Sequence, residues 1–362
     1  MIEWLYITFW SRCLMVNIAI LGFGTVGGGV YEVISRANKK PLSEVNIKYI
    51  LDLRTFPDHP LADRVTSDFD KILADDSVSV VVETMGGTGA AYKFSLAALQ
   101  AGKSVVTSNK ACVDKYGAEL ERVAVENGAV YLYEASVGGG IPVIAPLKDC
   151  FTGDDILRVA GILNGTTNYI LTHMQSEGKS LEEALKTAQE LGYAEADPHA
   201  DLAGLDSARK IAILAGIAFD KYISYESVSY IEGIENVTSE DIKLAEEMGC
   251  VIRLIAKAEK QGDKAALSVA PHLVAGTSLF HAIREAFNAV SVTGSAVGEV
   301  VFYGQGAGSL PTAAAVCADI ARVASGTGVT TVRKECEEGF LIPAQDEKFV
   351  TLKNGKKYRY FE

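Results

Sequence analysis

Apolar runs alternate with amphipathic segments along the first third of the chain. Five short apolar runs predict strands, and three segments with helical spacing lie between them. The predicted strands are Asn17–Leu21, Asn46–Leu51, Val78–Val82, Ser104–Thr107 and Ala129–Tyr133, and the predicted helices are Thr25–Arg36, Gly89–Ala101 and Lys110–Asn127. Strands that alternate with helices in this way form a parallel sheet, so we expect such a sheet with helices on both faces.

The hydrophobic pattern changes after the glycine-rich stretch Val137–Ile141. Beyond it, helical segments are mixed with strands that can pair directly through a tight turn. The predicted elements are a strand at Ile156–Leu163, a helix from the capping box at Ser180 to about Leu191, a helix at Leu205–Ala218, a hairpin of Cys250–Glu259 and Ala266–Ala270, strands at Ala289–Thr293 and Glu299–Phe302, and a last helix at Leu310–Ala324. This mixture predicts an α+β domain with a mixed sheet.

Composition and charge restrict the classes of partner. The chain has 34 lysine and arginine residues against 46 aspartate and glutamate residues, a formal net charge of −12. Such an acidic surface argues against nucleic acid and against an anionic membrane as partners. The six cysteines have neither CxxC nor metal-ligand spacing, and no apolar run reads as a membrane span. We therefore expect a cytoplasmic protein with reduced thiols.

A glycine-rich motif follows the first predicted strand and opens the first predicted helix. It has the spacing GxGxxG and consists of Gly22, Phe23, Gly24, Thr25, Val26 and Gly27. The three glycines allow a tight turn, a close approach of backbone amides to a pyrophosphate, and close packing of helix on strand. The motif in this context predicts a Rossmann-type domain that binds a dinucleotide cofactor.

Two residues of opposite charge follow the second predicted strand and bear on the choice of cofactor. Asp52 would accept hydrogen bonds from a ribose 2′-hydroxyl, which favours NAD. Arg54 could instead pair with a 2′-phosphate, which favours NADP. The sequence leaves both alternatives open.

Two further groups of polar residues are candidates for chemistry. Thr107–Lys110 lies where a predicted strand ends and a helix begins, at the edge where open α/β sheets bind ligands. Four carboxylates fall between Glu195 and Asp206, and Lys210 follows Asp206 on the same helical face. Taken alone, the second group is either an acidic loop with an ordinary ion pair or a pocket in which acids bind an ammonium and the lysine handles a hydroxyl.

Five motifs occur in a characteristic order along the chain. They are Gly22–Gly27, Asn109–Lys110, Glu134–Pro142, Asn164–Ile170 and Leu191–Lys210. Together they resemble the homoserine dehydrogenase family over roughly Val16 to Ala324, and the last two are highly specific to it. The resemblance implies reversible, NAD- or NADP-dependent interconversion of L-homoserine and L-aspartate 4-semialdehyde, in the route to threonine, methionine and isoleucine.

The resemblance also implies roles for individual residues. Lys110 and Lys210 correspond to a pair of catalytic lysines, and repulsion between two such ammonium groups favours the neutral, basic form of one of them. The acids would compensate the charge of the substrate ammonium. The residues with substrate-binding counterparts are Glu195, Asp201, Asp206, Gly165 and Thr166, and those with cofactor-binding counterparts are the Gly22–Gly27 motif, Asp52, Arg54, Thr84, Lys110 and Gly306.

A cation and a second subunit are further implications of the resemblance. One carboxylate and three backbone carbonyls, from Glu134, Val137, Gly139 and Ile141, match a monovalent-cation site of the family. Oxygen-only ligation suits sodium or potassium, and a glycine-rich hinge without a metal is the alternative interpretation. By family analogy we expect a homodimer, with the mixed sheet able to pair across the interface.

These features predict the domain organisation of the 362 residues. We expect an extra N-terminal segment at 1–14, which could be disordered and reflect an extended or misassigned start. A dinucleotide-binding domain follows at 15–141, and a catalytic and dimerisation domain at 142–303. Residues 304–330 form a return segment with a helix on the first domain, and residues 331–362 a short tail with at most a small hairpin. Residues 325–362 are fewer than the roughly 50 that a βαββαβ regulatory (ACT) domain needs. We therefore expect a short form of the family that threonine does not inhibit, unless a partner chain supplies the regulation.

Two other functions fit parts of the sequence. Another two-domain Rossmann dehydrogenase, of the sugar or inositol type, typically has Glu-Lys-Pro where this chain has Ser108–Ala111, and it would leave the acidic cluster without a role. A non-catalytic dinucleotide sensor that regulates transcription would need a DNA-reading helix pair and a basic face. The sequence shows neither, so we expect an enzyme.

Overall fold

The computed structural model describes residues 15–344 and 348–362. The interpretation of residues 1–14 as an extra segment lies outside these described residues. In the described part, a parallel sheet flanked by helices is followed by a mixed sheet with its own helices. This arrangement confirms the predicted fold class, a Rossmann-type domain joined to an α+β domain.

The first sheet contains six strands, all parallel, connected largely by helices. The strands are β1 (Val16–Leu21), β2 (Val45–Leu51), β3 (Val65–Thr66), β4 (Val78–Glu83), β5 (Ser104–Thr107) and β6 (Tyr131–Leu132), and the helices are α1 (Thr25–Ser35), α2 (Phe69–Leu73), α3 (Gly89–Gln100) and α4 (Lys110–Glu126). The strand order is β3-β2-β1-β4-β5-β6. This order reverses between β1 and β4, and ligands of open α/β sheets bind beside that point at the carboxyl ends of the strands.

Short elements account for most differences between this sheet and its prediction. Strand β3 and helix α2 were not predicted, because with two and five residues they are too short to show a period. Strand β6 begins two residues later than predicted and ends at Leu132, because Tyr133 already caps a 3₁₀ turn at Glu134–Ser136. Strands β1, β4 and β5 are largely buried, as their apolar runs predict, whereas β2 has three buried residues out of seven.

Among the described residues from 142 on, seven α-helices are combined with ten strands. The helices are α5 (Ile144–Asp149), α6 (Gly165–Glu177), α7 (Leu181–Glu190), α8 (His199–Leu202), α9 (Leu205–Ala218), α10 (Ser239–Glu247) and α11 (Ser309–Ala324). The strands are β7 (Ile156–Ile162), β8 (Lys221–Tyr222), β9 (Tyr230–Ile231), β10 (Cys250–Gln261), β11 (Lys264–Ala275), β12 (Phe287–Gly294), β13 (Gly298–Gln305), β14 (Lys334–Glu335), β15 (Phe349–Thr351) and β16 (Lys357–Phe361).

The second sheet is mixed and has the order β13-β12-β7-β10-β11-β16-β15, with β9 paired to β11. Helices α6, α9 and α10 pack against it. The predicted hairpin is confirmed as β10 and β11, which pair along their whole length around a turn that has Gly262 at φ +65°. The capping box that starts α7 is also confirmed, since Ser180 and Glu183 exchange side-chain and backbone hydrogen bonds.

Helix α11 returns to the first domain and packs on α1. The packing is tight at Gly29, where a Cβ atom would lie 2.9 Å from the Cβ of Ala313. The Ser309 hydroxyl donates a hydrogen bond of 2.7 Å to the carbonyl of Thr25. The last helix therefore ties the end of the second domain to the helix that the glycine motif opens.

Residues beyond α11 run back to the second domain. The expected hairpin is confirmed as β15 and β16, but β16 also extends the large sheet because it pairs in parallel with β11. Strand β14 forms a separate parallel pair with β8. None of the helices among residues 15–344 and 348–362 is both long and apolar enough to cross a membrane.

Candidate active site

The glycine motif has the geometry that its sequence predicts. Gly22 has φ +88°, which favours glycine, and a Cβ atom on Gly27 would lie 2.1 Å from the carbonyl oxygen of Gly22. Gly24 has open space around it, so its backbone is accessible to a ligand. The Thr84 hydroxyl donates to the Gly22 carbonyl at 2.7 Å. A cavity of about 650 Å³ at the carboxyl edge of the sheet is lined by Gly22, Gly24, Asp52 and Thr84, among others.

Asp52 and Arg54 form a bidentate ion pair at the rim of this cavity. The Arg54 side chain donates to both Asp52 oxygens, at 3.0 and 2.9 Å, and the Phe23 amide donates to Asp52 Oδ2 at 2.8 Å. These hydrogen bonds, above all those from Arg54, hold the pKa of Asp52 well below its usual range. Arg54 remains largely exposed and lies over the ring of Phe56, so the two candidate determinants of cofactor choice are partners.

A second cavity brings together predicted site residues from both domains. It has a volume of about 480 Å³ and is lined, among others, by Val26 of the glycine motif, Lys110, Glu195, Lys210 and Gly306. Gly139 also lines it, whereas its predicted co-ligands Val137 and Ile141 are buried in the adjoining loop. Asp52, Arg54 and Thr84 lie at the first cavity instead.

Lys110 and Lys210 converge on one carboxylate. The Nζ atom of Lys110 lies 2.7 Å from Asp206 Oδ1, and the Nζ atom of Lys210 lies 2.8 Å from Asp206 Oδ2. Lys210 also donates a hydrogen bond of 2.7 Å to the carbonyl of Leu163. The repulsion expected between the two ammonium groups is therefore offset by an anion that stands between them.

The start of α4 fixes the backbone of Lys110. Asn109 caps the helix by accepting a hydrogen bond from the amide of Cys112 at 3.1 Å, and its side-chain amide donates to Gly87 at 2.6 Å. Thr107 donates to the buried carboxylate of Glu83 at 2.6 Å, which ties the ends of β4 and β5 together. Burial raises the pKa of Glu83. Lys110 thus leaves the sheet from a well-anchored turn.

Asp201 and Asp206 lie side by side with opposite electrostatic surroundings. Burial opposes the charge of Asp206, but Lys210 and Lys110 outweigh it and hold the pKa of this carboxyl well below its usual range. Burial and the neighbouring negative charge of Asp206 raise the pKa of Asp201. The site therefore contains one acid that stays ionised and one that protonates more easily than usual.

Asn164 joins the two acids and was not among the predicted site residues. Its side-chain amide donates to Asp201 Oδ1 at 2.7 Å and to Asp206 Oδ2 at 2.9 Å. The side-chain oxygen Oδ1 of Asn164 caps α6 by accepting the backbone amide hydrogen of Thr167 at 2.8 Å. The available signal was its place at the start of the family-specific motif Asn164–Ile170.

The remaining predicted substrate residues surround this cluster. Gly165 and Thr166 form the first turn of α6, and the Thr166 hydroxyl donates to the carbonyl of Tyr193 at 2.7 Å. A Cβ atom on Gly165 would lie 2.8 Å from the carbonyl oxygen of Ala286. Glu195 lies on the exposed loop after α7 and lines the cavity. Its carboxylate takes part in no hydrogen bond or ion pair with any other described residue.

The glycine-rich loop between the domains is built around Glu134. The Glu134 carboxylate is buried and accepts hydrogen bonds from the amides of Val143, Ile144 and Ala145, at 2.7, 2.8 and 2.6 Å, so it caps the start of α5. Gly138 and Gly139 both have positive φ angles. Among the described residues, no group of three or more His, Cys, Asp or Glu side chains has the arrangement of a metal site.

A glycine-motif turn on a parallel sheet, whose Val26 lines one cavity with Glu195 and Lys210 of a second domain, is typical of an NAD(P)-dependent oxidoreductase. Comparison with known proteins gives the family. The model of the homoserine dehydrogenase NAD-binding domain matches residues 22–134, and the homoserine dehydrogenase model matches residues 142–321. The chain belongs to the homoserine dehydrogenase family.

Individual relatives agree with this assignment. The homoserine dehydrogenase of Synechocystis sp. is 42% identical over 320 residues, which cover 86% of this chain and 73% of the relative. The crystal structure of a homoserine dehydrogenase from Thiobacillus denitrificans matches with a TM-score of 0.84 and 36% identity, over 91% of this chain and 79% of that chain. A hyperthermophilic archaeal homoserine dehydrogenase in complex with NADPH matches with a TM-score of 0.75 and 27% identity, over 87% and 99% of the two chains.

Proposed function

We propose that this chain interconverts L-homoserine and L-aspartate 4-semialdehyde with NAD or NADP. The observation that carries the proposal is the Lys110–Asp206–Lys210 cluster, in which two domains place two lysines within 2.8 Å of one carboxylate. Val26 of the glycine motif lines the same cavity as both lysines, so a dinucleotide bound to that motif would reach the cluster. The reaction would supply threonine, methionine and isoleucine biosynthesis.

Proton transfer is the step that the chain itself must supply. A dinucleotide bound at the glycine motif would supply the hydride chemistry, so the chain must supply a base that takes the proton of the homoserine hydroxyl. Lys210 already contacts Leu163 and Asp206, which leaves one N–H position for a substrate oxygen. Lys110 has 41% of its side chain exposed and faces the open cavity. We assign the two lysines to binding the hydroxyl and transferring its proton.

The charged ends of homoserine have complementary groups nearby. Glu195, Asp201 and Asp206 provide negative charge for the substrate ammonium. The amides of Gly165 and Thr166, in the first turn of α6, provide donors for the substrate carboxylate, because the first amides of a helix have no partner within it. Asn164 holds Asp201 and Asp206 in place. We assign these residues to substrate binding.

Cofactor binding is assigned to the glycine motif and its surroundings. Gly22, Phe23, Gly24, Thr25, Val26 and Gly27 would hold the pyrophosphate, while Asp52 and Arg54 would contact the adenosine ribose. Thr84, Lys110 and Gly306 would lie along the nicotinamide half. A relative that binds NADPH supports NADP as one of the cofactors, and the pairing of Arg54 with Asp52 leaves NAD as the alternative.

The donor set of the glycine-rich loop fits a monovalent cation in part. Val137, Gly139 and Ile141 have buried backbones, and their carbonyl oxygens accept no hydrogen bond from the described residues. The Glu134 carboxylate already accepts three amide hydrogens, so few of its lone pairs remain for a cation. Its contribution to the site would be mainly its negative charge. We propose that these groups hold sodium or potassium and thereby stiffen the loop beside Gly306. A homodimer and a cytoplasmic location complete the proposal.

Kinetics with purified protein test the proposed reaction. L-homoserine with NAD or NADP should give an increase in reduced-nicotinamide absorbance, and the reverse reaction should consume it with L-aspartate 4-semialdehyde. Sugars and inositol serve as comparison substrates for the alternative class of dehydrogenase. Turnover of a sugar without turnover of homoserine would contradict the proposal, and so would cofactor binding without any turnover.

A further inference from the structure

Arg333 lies outside both regions that match the family, yet it is buried between the two domains. It follows α11 and immediately precedes β14. Its side chain is inserted between α4 of the first domain and α9 of the second, with only 4% of its area exposed. A charged residue is rarely buried to this extent without a specific partner.

The partner of Arg333 is Glu121 on α4, which is fully buried. The Nε atom of Arg333 donates to both Glu121 oxygens, at 3.0 and 3.2 Å, and its backbone amide donates to Glu121 Oε2 at 3.2 Å. The hydroxyl of Tyr133 donates to Glu121 Oε1 at 2.6 Å. The guanidinium lies over the rings of Tyr133 and Tyr222, 5.7 and 5.6 Å from their centres. The ion pair is therefore enclosed by both domains.

Two glycines make room for the guanidinium. A Cβ atom on Gly117 of α4 would lie 2.7 Å from Arg333 Nη2, and one on Gly216 of α9 would lie 3.1 Å from Arg333 Nη1. Neither glycine has a positive φ angle. Glycine at these positions therefore leaves room for Arg333 and is not required by the backbone conformation. At Gly216, the carbonyl of Lys221 is a second close neighbour.

The same two helices carry the proposed catalytic lysines. Lys110 is the first residue of α4, and Lys210 lies on α9. Farther along the same pair of helices, a carboxylate oxygen of Asp114 on α4 lies 3.4 Å from the Nε atom of Arg209 on α9. The seam between the helices is thus crossed by ion pairs at Asp206 and at Arg209, and farther along it holds the Arg333 side chain, which pairs with Glu121 of α4 and packs against Gly216 of α9.

We propose that Arg333 is a positioning residue that sets the spacing of α4 and α9 and, through them, the distance between Lys110 and Lys210. The proposal rests on the proposed function, because it concerns the geometry of the lysine cluster. A buried ion pair adds little net stability relative to apolar residues, so positioning is a better reason for it than stability. Shifts of about 1 Å in catalytic groups can cost about 10²-fold in rate.

The decisive variant removes both charges and keeps the volume. Arg333→Met alone leaves Glu121 buried without a cation, which is strongly destabilising, so the test uses the double variant Glu121→Gln, Arg333→Met. We expect kcat to fall by about 10- to 10²-fold, with unchanged affinity for reduced cofactor by fluorescence titration. The cofactor motif opens α1, which packs on the opposite face of the parallel sheet from α4, so it should not respond. Arg122→Met, at an exposed arginine on α4, is the matched control and should retain full turnover.

A second measurement separates positioning from general loss of structure. In a Lys210→Ala background the double variant should cause little further loss of kcat, because the lysine that it positions is already gone. Wild-type kcat in the double variant, with the wild-type chain active on homoserine, would overturn the positioning role and leave the proposed function intact. Equal fold losses in the Lys210→Ala and native backgrounds would also overturn it. An inactive wild-type chain would instead refute the proposed function.

Discussion

The ammonium of Lys110 lies 2.7 Å from the carboxylate of Asp206, although the two residues belong to different domains. Lys110 opens a helix of the nucleotide-binding sheet, whereas Asp206 lies in the first turn of α9 in the second domain. Asp206 is almost fully buried and also contacts Lys210. The proposed proton-transfer site is therefore assembled at the seam between domains, where the substrate would meet the cofactor.

Removing the charge of Glu195 should weaken substrate binding specifically. Glu195→Gln keeps the shape of the side chain but removes the negative charge that we assign to binding the substrate ammonium. We expect the KM for homoserine to rise by about tenfold or more, as loss of a charged partner costs about 1.5–3 kcal/mol, while the KM for NADP or NAD changes little. Initial-rate kinetics with each substrate varied in turn provide the measurement.

A matched control for this variant lies on the same segment of chain. Glu190→Gln changes an exposed acid at the end of α7 and should leave both KM values as they are. An unchanged KM for homoserine in Glu195→Gln would remove Glu195 from the substrate site.

The raised pKa of Asp201 predicts an acid limb in the activity profile. Burial and the charge of Asp206 raise this pKa. As the pH falls, Asp201 is therefore protonated sooner than an ordinary aspartate would be. Protonation removes negative charge from the substrate site, and kcat/KM for homoserine should fall with it. Asp206 cannot produce this limb, because its pKa is lowered.

Replacing Asp201 by asparagine tests the origin of that limb. Asp201→Asn should lower kcat/KM across the profile and make it independent of pH on the acid side. A profile with an unchanged acid limb in this variant would assign the titration to another group. Asp197→Asn, an exposed acid on the loop before α8, is the matched control.

The Asp52–Arg54 pair predicts how cofactor choice responds to mutation. Arg54→Ala removes the cation that could bind a 2′-phosphate and frees the Asp52 carboxylate, which then repels that phosphate. We expect the ratio of kcat/KM for NADP over NAD to fall by about tenfold or more, from the loss of a charged hydrogen bond. Asp52→Asn should raise the same ratio. A ratio that neither substitution changes would exclude the pair as the selectivity determinant.

Local patterns predicted most of the fold, and the exceptions have physical reasons. Five of the six strands of the parallel sheet follow from runs rich in apolar residues, and the β10–β11 hairpin follows from its turn. Helix α6 was missed because its sequence, GTTNYILTHMQSE, is rich in β-branched residues and lies directly after a strand. The Asn164 cap and packing against the second sheet decide its conformation instead. The pairing of β16 with β11 is a long-range contact that no local pattern reports.

The candidate site was predictable by motif but not by arrangement. Spacing placed Asp206 and Lys210 on one helical face, and the structure has them 2.8 Å apart. Nothing local indicated that Lys110 would join them from another domain or that Asp52 would bind Arg54. Asn164 was overlooked because its role requires two acids that come together only in the folded chain. Arg333 was assigned to a tail because burial between two helices leaves no periodic signal.

Turnover and cofactor binding in lysine variants test the central claim most directly. Lys110→Ala and Lys210→Ala should each lower kcat for homoserine oxidation by a factor of about 10² to 10⁴, while both proteins still bind reduced cofactor in fluorescence titrations. Lys93→Ala, at an exposed lysine on α3, should turn over like the wild type. More than half of wild-type turnover in either active-site variant would contradict the role given to that lysine in proton transfer.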